Sequence, residues 1–171
     1  MEIITYKTLK LIKNLIFCMA IIGQFASTKE PFKIKNPYGN EVVLDLALTR
    51  SQHTKGLSGL KSNEFSNSRG MLFINADVGP RRFWMQDTFF NLDIIFLDNN
   101  LKVVGIEKNV PFHPGPIEPP AIYKTETYLA QYVLETKALA DFGKKLKKND
   151  QLKFSGPTSL LEIESSIRLL R

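Results

Sequence analysis

The chain has 171 residues, of which 43% are hydrophobic, 23% are charged and twelve are phenylalanines. That length corresponds to about one domain with enough apolar side chains for a core, which excludes a chain that is disordered throughout. The net charge of +6 is a mild cationic surplus, and no stripe of basic residues interleaved with aromatic ones accompanies it. Nucleic acid is therefore not expected as a partner.

The first residues have the pattern of an export signal. Three lysines between residues 7 and 13 precede an apolar run at 15–25, LIFCMAIIGQF, and small residues follow it. The run is shorter than the roughly 20 residues that a membrane-spanning helix needs. We predict a signal peptide at 1–27, a periplasmic or secreted mature protein, and no stable membrane span after signal removal, with an uncleaved anchor as the alternative.

The next part of the chain alternates strand patterns with turns. Apolar residues at period two across 31–48, interrupted by PYGN, predict a hairpin. Thr49 and Gln52 have capping-box spacing and predict a helix that Gly56 limits to about two turns. A buried strand is predicted at 70–74.

The strongest strand pattern is a second hairpin, with arms at 92–97 and 101–106 around Asp98-Asn99-Asn100. These residues predict a tight turn, because asparagine tolerates a positive φ. Further strands are predicted at 83–85, 128–134 and 152–154. Thr136 is predicted to cap a helix at 137–142 that ends at Gly143.

The tail at 157–171 carries apolar residues at three- and four-residue steps, and Ser159 and Glu162 have capping-box spacing. Together these features predict an appended amphipathic helix. Many short strands with brief helices predict an all-β, single-domain sandwich or barrel over 28–156, with short helices and this appended C-terminal helix.

A proline-rich loop at 111–120, PFHPGPIEPP, holds five of the nine prolines. Proline cannot donate to a ladder, so this segment is not a central strand. It is either a recognition segment for a partner or a rigid cover over the FWMQDT segment at 83–88.

Six short motifs carry a resemblance to a known family. They are KGLSGL at 55–60, RGMLF at 69–73, FWMQDT at 83–88, LDIIFLD at 92–98, VVGI at 103–106 and AQYVLE at 130–135. In order and spacing the chain resembles the bacterial and archaeal family called domain of unknown function 192, from about Val42 to Phe154. The resemblance implies a compact β-sandwich or barrel, often behind a signal peptide, and it implies no reaction or ligand.

The chain departs from the pattern of that family in three places. Asp87 stands where Asn is usual, and Phe90-Asn91 stands where a proline is common. Asn149 replaces a glycine that precedes an aspartate near the final strand. The first departure falls within the FWMQDT segment.

The FWMQDT segment mixes apolar and polar side chains, which is typical of binding clefts. In a strand, Phe83, Met85 and Asp87 would share one face and Trp84 and Thr88 the other. Trp84 is then either a stacking platform for a ligand or the largest core side chain. Asp87 and Thr88 either contact a ligand or cap a turn.

We predict a ligand-binding cleft formed by Arg82, Trp84, Asp87, Thr88 and Asp93, for an unknown small molecule or envelope component. The chain would then be an exported binding or accessory domain rather than an enzyme. One alternative is a hydrolase that uses Asp87 and Asp93 as acid and base. Another is a structural envelope protein that binds a partner through the proline-rich loop and the tail helix.

Metal and cofactor chemistry have no signature in the sequence. His53 and His113 are the only histidines, and both are expected at the surface without ligand spacing. Cys18, the only cysteine, lies in the predicted signal, so the mature chain would have no thiol. No metal and no cofactor are predicted.

Overall fold

The computed structural model describes residues 30–169, so the predicted signal peptide at 1–27 lies outside the described residues. Within the part described, no helix has both the length and the apolar character needed to cross a membrane. Residues 30–169 form seven strands and three short helices.

The strands form a single sheet with the spatial order β5-β4-β6-β3-β2-β1-β7. Their bounds are β1 Lys33–Lys35, β2 Glu41–Ala47, β3 Arg69–Arg81, β4 Leu92–Leu97, β5 Val103–Val110, β6 Tyr128–Lys137 and β7 Lys153–Ser155. The helices are α1 Arg50–Lys55, α2 Asp141–Lys144 and α3 Leu160–Leu169. Neighbouring strands are antiparallel except β2 and β3, which are parallel.

The sheet curls until its two edges meet. Lys102, beside β5, forms an antiparallel bridge with Gln151, beside β7. The Val103 N–H donates to the Asp150 carbonyl at 2.9 Å, next to this bridge. The prediction of an all-β sandwich or barrel is therefore confirmed in the form of a curled, barrel-like sheet, in which residues beside the two edge strands bond to each other.

Two hydrophobic cores lie on opposite faces of this sheet. The inner core occupies the face to which all seven strands contribute, and it is rich in aliphatic residues such as Ile34, Leu72 and Ile95. The outer core lies on the other face of the central strands and is rich in aromatics such as Phe73 and Phe96. Alternation of side chains along each strand sends successive residues to the two cores.

Helices close the inner core and loops close the outer core. Phe142 from α2 and Ile163 and Ile167 from α3 pack into the inner core, so the tail helix packs on its own domain. The outer core is covered by loop residues that include Leu57, Phe65 and Met85. Phe65 stacks on Phe90 with 5.6 Å between ring centroids.

Glu135 is an acid buried in the outer-core face. It pairs with Met71 and Ile94 on the adjacent strands, and only 5% of the residue is exposed. Desolvation by burial raises the pKa of Glu135 to about 8. A Cβ placed on Gly56 would lie 3.9 Å from Glu135 Oε2, so the turn after α1 covers this carboxyl. No side chain or backbone group among the described residues donates a hydrogen bond to it.

The two capping boxes predicted from sequence are present. Thr49 Oγ1 accepts from the Gln52 N–H at 3.2 Å, and Gln52 Oε1 accepts from the Thr49 N–H at 2.9 Å. Ser159 and Glu162 form the same reciprocal pair at the start of α3. These bonds satisfy backbone N–H groups that have no partner inside the helix.

The predicted helix at 137–142 is wrong. β6 continues through Lys137, and Thr136 is fully buried in the sheet opposite Asp93, so its side chain is not available as a cap. The helix begins only at Asp141. Gly143 lies inside it rather than at its end. A glycine is needed at this position because a Cβ would come within 2.1 Å of Asp93 Oδ2.

The predicted hairpin of β4 and β5 is confirmed, but its turn works differently from the expectation. Asp98 Oδ1 accepts hydrogen bonds from the N–H groups of Asn100 and Lys102 at 2.8 and 2.9 Å. The positive φ of 63° falls on Leu101 and not on an asparagine. The aspartate side chain therefore organises this turn.

Candidate functional site

The FWMQDT segment runs between two covering loops and forms only isolated bridges. On one side, the Met85 N–H donates to the Tyr123 carbonyl at 3.1 Å and the Asp87 N–H to the Gly115 carbonyl at 3.0 Å. On the other side, Ser58 Oγ donates to the Gln86 carbonyl at 3.0 Å. The proline-rich loop is therefore a cover over this segment, as one of the two interpretations proposed.

Asp87 has a φ of 55°, which interrupts the strand alternation expected from sequence. Asn and Asp are the non-glycine residues that tolerate this left-handed region best, so backbone geometry explains both Asp87 and the asparagine usual at this position. Thr88 consequently points inward and is 6% exposed. Its Oγ1 donates to the Met85 carbonyl at 2.7 Å, so Thr88 holds the turn.

His113 holds the proline-rich loop from its buried side. It is 4% exposed, and its ring nitrogens lie 3.1 Å from the Gly115 carbonyl and 2.8 Å from the Pro120 carbonyl. The expectation of a surface histidine is wrong here. The carbonyls of a loop outside a sheet need donors from side chains or water, and the ring N–H of His113 donates to one of these two carbonyls from inside the fold.

Trp84 points away from both cores and is 51% exposed, whereas its neighbour Met85 is fully buried. The interpretation of Trp84 as a core side chain is therefore wrong. Arg82 lies on the same side of the segment, with its Nε donating to the Thr125 carbonyl at 3.0 Å. Both residues line a cavity of about 340 Å³.

That cavity belongs to a groove between α1 and the end of β3, which we call the α1–β3 groove. Arg50 and His53 of α1 form one wall of it, and Arg81, Arg82 and Trp84 form the other. None of the residues that line the cavity is acidic. Among the described residues no carboxylate forms an ion pair with Arg50 or Arg82.

Backbone carbonyls hold Arg81 and Arg82 of the groove in place. Arg81 donates from Nη2 to the Asp77 carbonyl at 2.7 Å and from Nε to the Ala130 carbonyl at 3.2 Å. These bonds span the register shift in β3 between Ile74 and Gly79, which redirects the end of the strand. Fixed guanidinium groups lose little conformational freedom when an anion binds.

His53 contributes a neutral ring between these cations. Its Nε2 donates to the Ala47 carbonyl at 2.9 Å, and its ring packs edge-on against Phe73. Desolvation by burial, and to a smaller extent the charge of Arg81, lower the pKa of His53 below its usual value. The positive potential of the groove at neutral pH therefore comes from its arginines.

Asp93 lies elsewhere, on the inner face of the sheet, and is 2% exposed. Its Oδ1 accepts from the Asn109 N–H at 2.8 Å, and its Oδ2 packs against Gly143. Desolvation by burial raises the pKa of Asp93. The carboxyl of Asp87 instead packs near Gly59, so these contacts give the two acids no common neighbour.

The structure thus divides the five predicted site residues among three places. Arg82 and Trp84 line the α1–β3 groove, Asp87 and Thr88 form the turn beneath the cover, and Asp93 lies in the inner core. Sequence reasoning missed Arg50, His53 and Arg81 as wall residues. The Arg81-Arg82 pair directly before FWMQDT was the one local signal for a cationic wall.

Side chains suited to metal binding do not gather in the described part of the chain. No three His, Cys, Asp or Glu residues there are grouped so that they could hold a metal ion.

Comparison with known proteins gives a family and two related structures. The family model DUF192, described as "Uncharacterized ACR", matches residues 33–154. A Sinorhizobium meliloti 1021 protein, provisionally assigned as a transcription regulator, is similar at 25% identity and a TM-score of 0.58, over 77% of this chain and 98% of that one. A protein of unknown function from Novosphingobium aromaticivorans DSM 12444 is similar at 22% identity with the same TM-score, over 76% of this chain and 89% of that one.

Among curated proteins, none matches the sequence significantly. The second structure supports the fold alone at its level of identity. The family match covers more than half of the chain and spans every strand of the sheet from β1 to β7. The chain therefore belongs to the DUF192 family, which is uncharacterised.

Proposed function

We propose that this protein is an exported binding domain whose ligand is a small anion with a flat or apolar face. The observation that carries the proposal is the α1–β3 groove, where Arg50, Arg81 and Arg82 surround a cavity with no acidic residue in its lining. Guanidinium groups pair with carboxylates and phosphates through two parallel hydrogen bonds. An anion would neutralise the positive charge of this groove and is therefore the expected ligand.

Trp84 supplies the second part of the argument. Half of Trp84 is exposed to water, although burying the large apolar surface of a tryptophan is favourable. Its bridge to Lys124 fixes the backbone on which the ring stands. A ligand with a flat face would cover the indole while its anionic group pairs with Arg82.

The cavity of about 340 Å³ falls within the range of roughly 300–1,000 Å³ that is common for small-molecule sites. The export part of the proposal rests on the lysine-rich start and the apolar run at 15–25. Cell fractionation with sequencing of the mature N-terminus tests it, and a mature chain that keeps residue 1 and stays in the cytoplasm would refute it.

The binding experiment is a thermal-shift screen with matched anionic and neutral compounds: glucuronate and glucose, benzoate and benzyl alcohol, and a nucleoside monophosphate with its nucleoside. A ligand at one hundred times its dissociation constant stabilises the fold by about 2.7 kcal/mol. For a domain of this size the midpoint should rise by roughly 5–10 °C. We expect a shift with at least one anion and none with its neutral partner.

Variants locate the binding. Arg82→Gln and Trp84→Ala should each abolish the shift without lowering the midpoint of the free protein by more than about 2 °C, because both side chains are exposed. Lys145→Gln and Leu139→Ala are the matched controls, since both are exposed and neither lines the groove. Equal shifts in all four variants would place binding elsewhere and refute the proposal.

A further inference from the structure

The α1–β3 groove has a second, apolar end. A cavity of about 450 Å³ lies between the start of α1 and β3 and is closed by α3. Its lining includes Leu48, Ile74, Ala76 and Ile167. The last three belong to the inner core, so this cavity opens onto the apolar interior of the curled sheet.

The two ends of the groove are adjacent, because Arg50, His53 and Asn75 line both cavities. Cations and Trp84 therefore stand at one end and aliphatic side chains at the other. No acidic residue lines either cavity. This gradient from charged to apolar along one groove is the pattern that an amphiphilic ligand would match.

We infer that the ligand is a single-chain anionic amphiphile, with its anionic group between Arg50 and Arg82 and its hydrocarbon chain directed toward Ile167. The inference rests on the proposed function and adds the chain to the anion. A short anion would leave the cavity at the aliphatic end unfilled, and an uncharged chain would leave Arg50 and Arg82 without a counter-charge. Each would use only half of the groove.

The tail helix builds the chain-binding end. Ile167 lies beyond the segment that matches the family, which ends at residue 154. The helix is held by Arg168, whose Nη2 donates to the Ala76 carbonyl at 2.8 Å, and by the hydrogen bond from Tyr132 to Glu164. A preference for chain length would therefore be set by α3.

Isothermal titration of the full chain with straight-chain carboxylates from butyrate to octanoate tests this, with all compounds below their micelle concentrations. Each added CH₂ that is buried should tighten binding about fourfold. Octanoate should therefore bind at least about 30-fold more tightly than butyrate. The neutral 1-octanol and the cationic octylamine should bind at least about tenfold more weakly than octanoate, since they lack the charge that the arginines pair with.

Ile167→Trp, which fills the apolar end, should lower octanoate affinity at least about tenfold and leave butyrate affinity unchanged. Leu169→Trp is the matched control, because Leu169 is on the same helix and is 87% exposed. If Ile167→Trp does not fold, Leu48→Trp narrows the same cavity from a half-buried position.

The outcomes separate the two proposals. If butyrate and octanoate bind equally well, or octylamine matches octanoate, the amphiphile is refuted. In the first case the binding of anions in the groove still stands. If no carboxylate binds and the anion screen is also blank, the proposed function fails together with the inference. Chain-length dependence that disappears in Ile167→Trp but not in Leu169→Trp supports the inference.

Discussion

The inner and outer cores are both well filled, but they differ in what closes them and in how they treat buried polar groups. Buried acids on the inner side have hydrogen-bond partners. Glu164 of α3 accepts from the Tyr132 hydroxyl, and Asp93 accepts from the Asn109 N–H of β5. In the outer core, loops leave Glu135 buried without a hydrogen bond from the described residues. Thr136 Oγ1 is the exception on the inner side.

This difference between the two cores indicates where a binding site can form in such a fold. A helix satisfies its own backbone and can seal a core tightly. Each backbone polar group of a loop needs its own hydrogen-bond partner, and gaps remain where two segments that cover the sheet meet. The α1–β3 groove lies at such a boundary, since its lining comes from α1 on the outer side and from inner-core residues such as Ile74.

The largest effect is expected from removing the side chain of Phe65, which belongs to the loops that cover the outer core. Phe65→Ala deletes a fully buried ring that stacks on Phe90, and it should lower the free energy of unfolding by about 3–5 kcal/mol. Urea denaturation measures this. Leu161→Ala, at a residue that is 68% exposed, should change stability by less than about 0.5 kcal/mol. A loss below about 1 kcal/mol for Phe65→Ala would mean that the loops are not a true core cover.

The second prediction concerns Glu135 and pH. The unfolded chain releases this proton near its ordinary pKa of 4.5, whereas the folded protein keeps it until about pH 8. Folding therefore takes up a proton between these values, so the free energy of unfolding falls as pH rises, by on the order of 1 kcal/mol per pH unit. The stabilising contribution is complete below pH 4.5 and is lost above pH 8.

Denaturation of Glu135→Gln from pH 5 to pH 9 checks this, because glutamine keeps the shape and cannot ionise. The slope of stability against pH should be much shallower in Glu135→Gln than in the wild type. Desolvation also raises the pKa of Asp93, which contributes in the same way to both proteins and so does not affect the comparison. Identical slopes in both proteins would mean that Glu135 is hydrated and not closed off by the Gly56 turn.

The third prediction tests the inner core, where the buried acid Glu164 has a hydrogen-bond donor. Tyr132→Phe removes the hydroxyl that donates to Glu164 and leaves a buried carboxyl without this donor. The free energy of unfolding should fall by about 1–3 kcal/mol. The double variant Tyr132→Phe with Glu164→Leu should recover part of this loss, and no recovery would place the cost in packing instead.

The smallest effect is expected from the helix cap beside the groove. Thr49→Ala removes the side-chain oxygen that accepts from the Gln52 N–H, which should cost about 1 kcal/mol. Thr49→Ser keeps the oxygen and should cost only a few tenths of a kcal/mol. Chemical denaturation distinguishes them, and equal losses would contradict the role of the cap.

Patterns local in sequence predicted most of the fold. Period-two apolar residues placed β2, and the apolar run at 92–97 with its two isoleucines placed β4. The Thr49–Gln52 and Ser159–Glu162 spacings placed the starts of α1 and α3. The failed helix at 137–142 shows the limit, because Thr136 has a good capping side chain that the sheet had already buried. Tertiary packing overrode a local preference there.

The site was less predictable because its walls come from distant segments. Trp84 and Arg82 were identified from one motif, but Arg50 and His53 reach the groove only through the packing of α1 beside β3. The positive φ of Asp87 reversed the side to which Thr88 points, and the spacing of residues in the sequence does not predict such a reversal. Asp93 was grouped with the motif by nearness in sequence, although the pleat turns it to the inner face.

The pairing of β1 with β7 has a consequence for how the chain reaches its folded state. Lys33 lies opposite Ser155, so the first strand of the described residues can pair on this edge only after the last strand has been synthesised. Closing so long a loop is entropically costly, and topologies dominated by such distant contacts fold slowly. Until β7 is in place, β1 has one edge without a strand to pair with, and such an unpaired edge exposes a growing chain to aggregation.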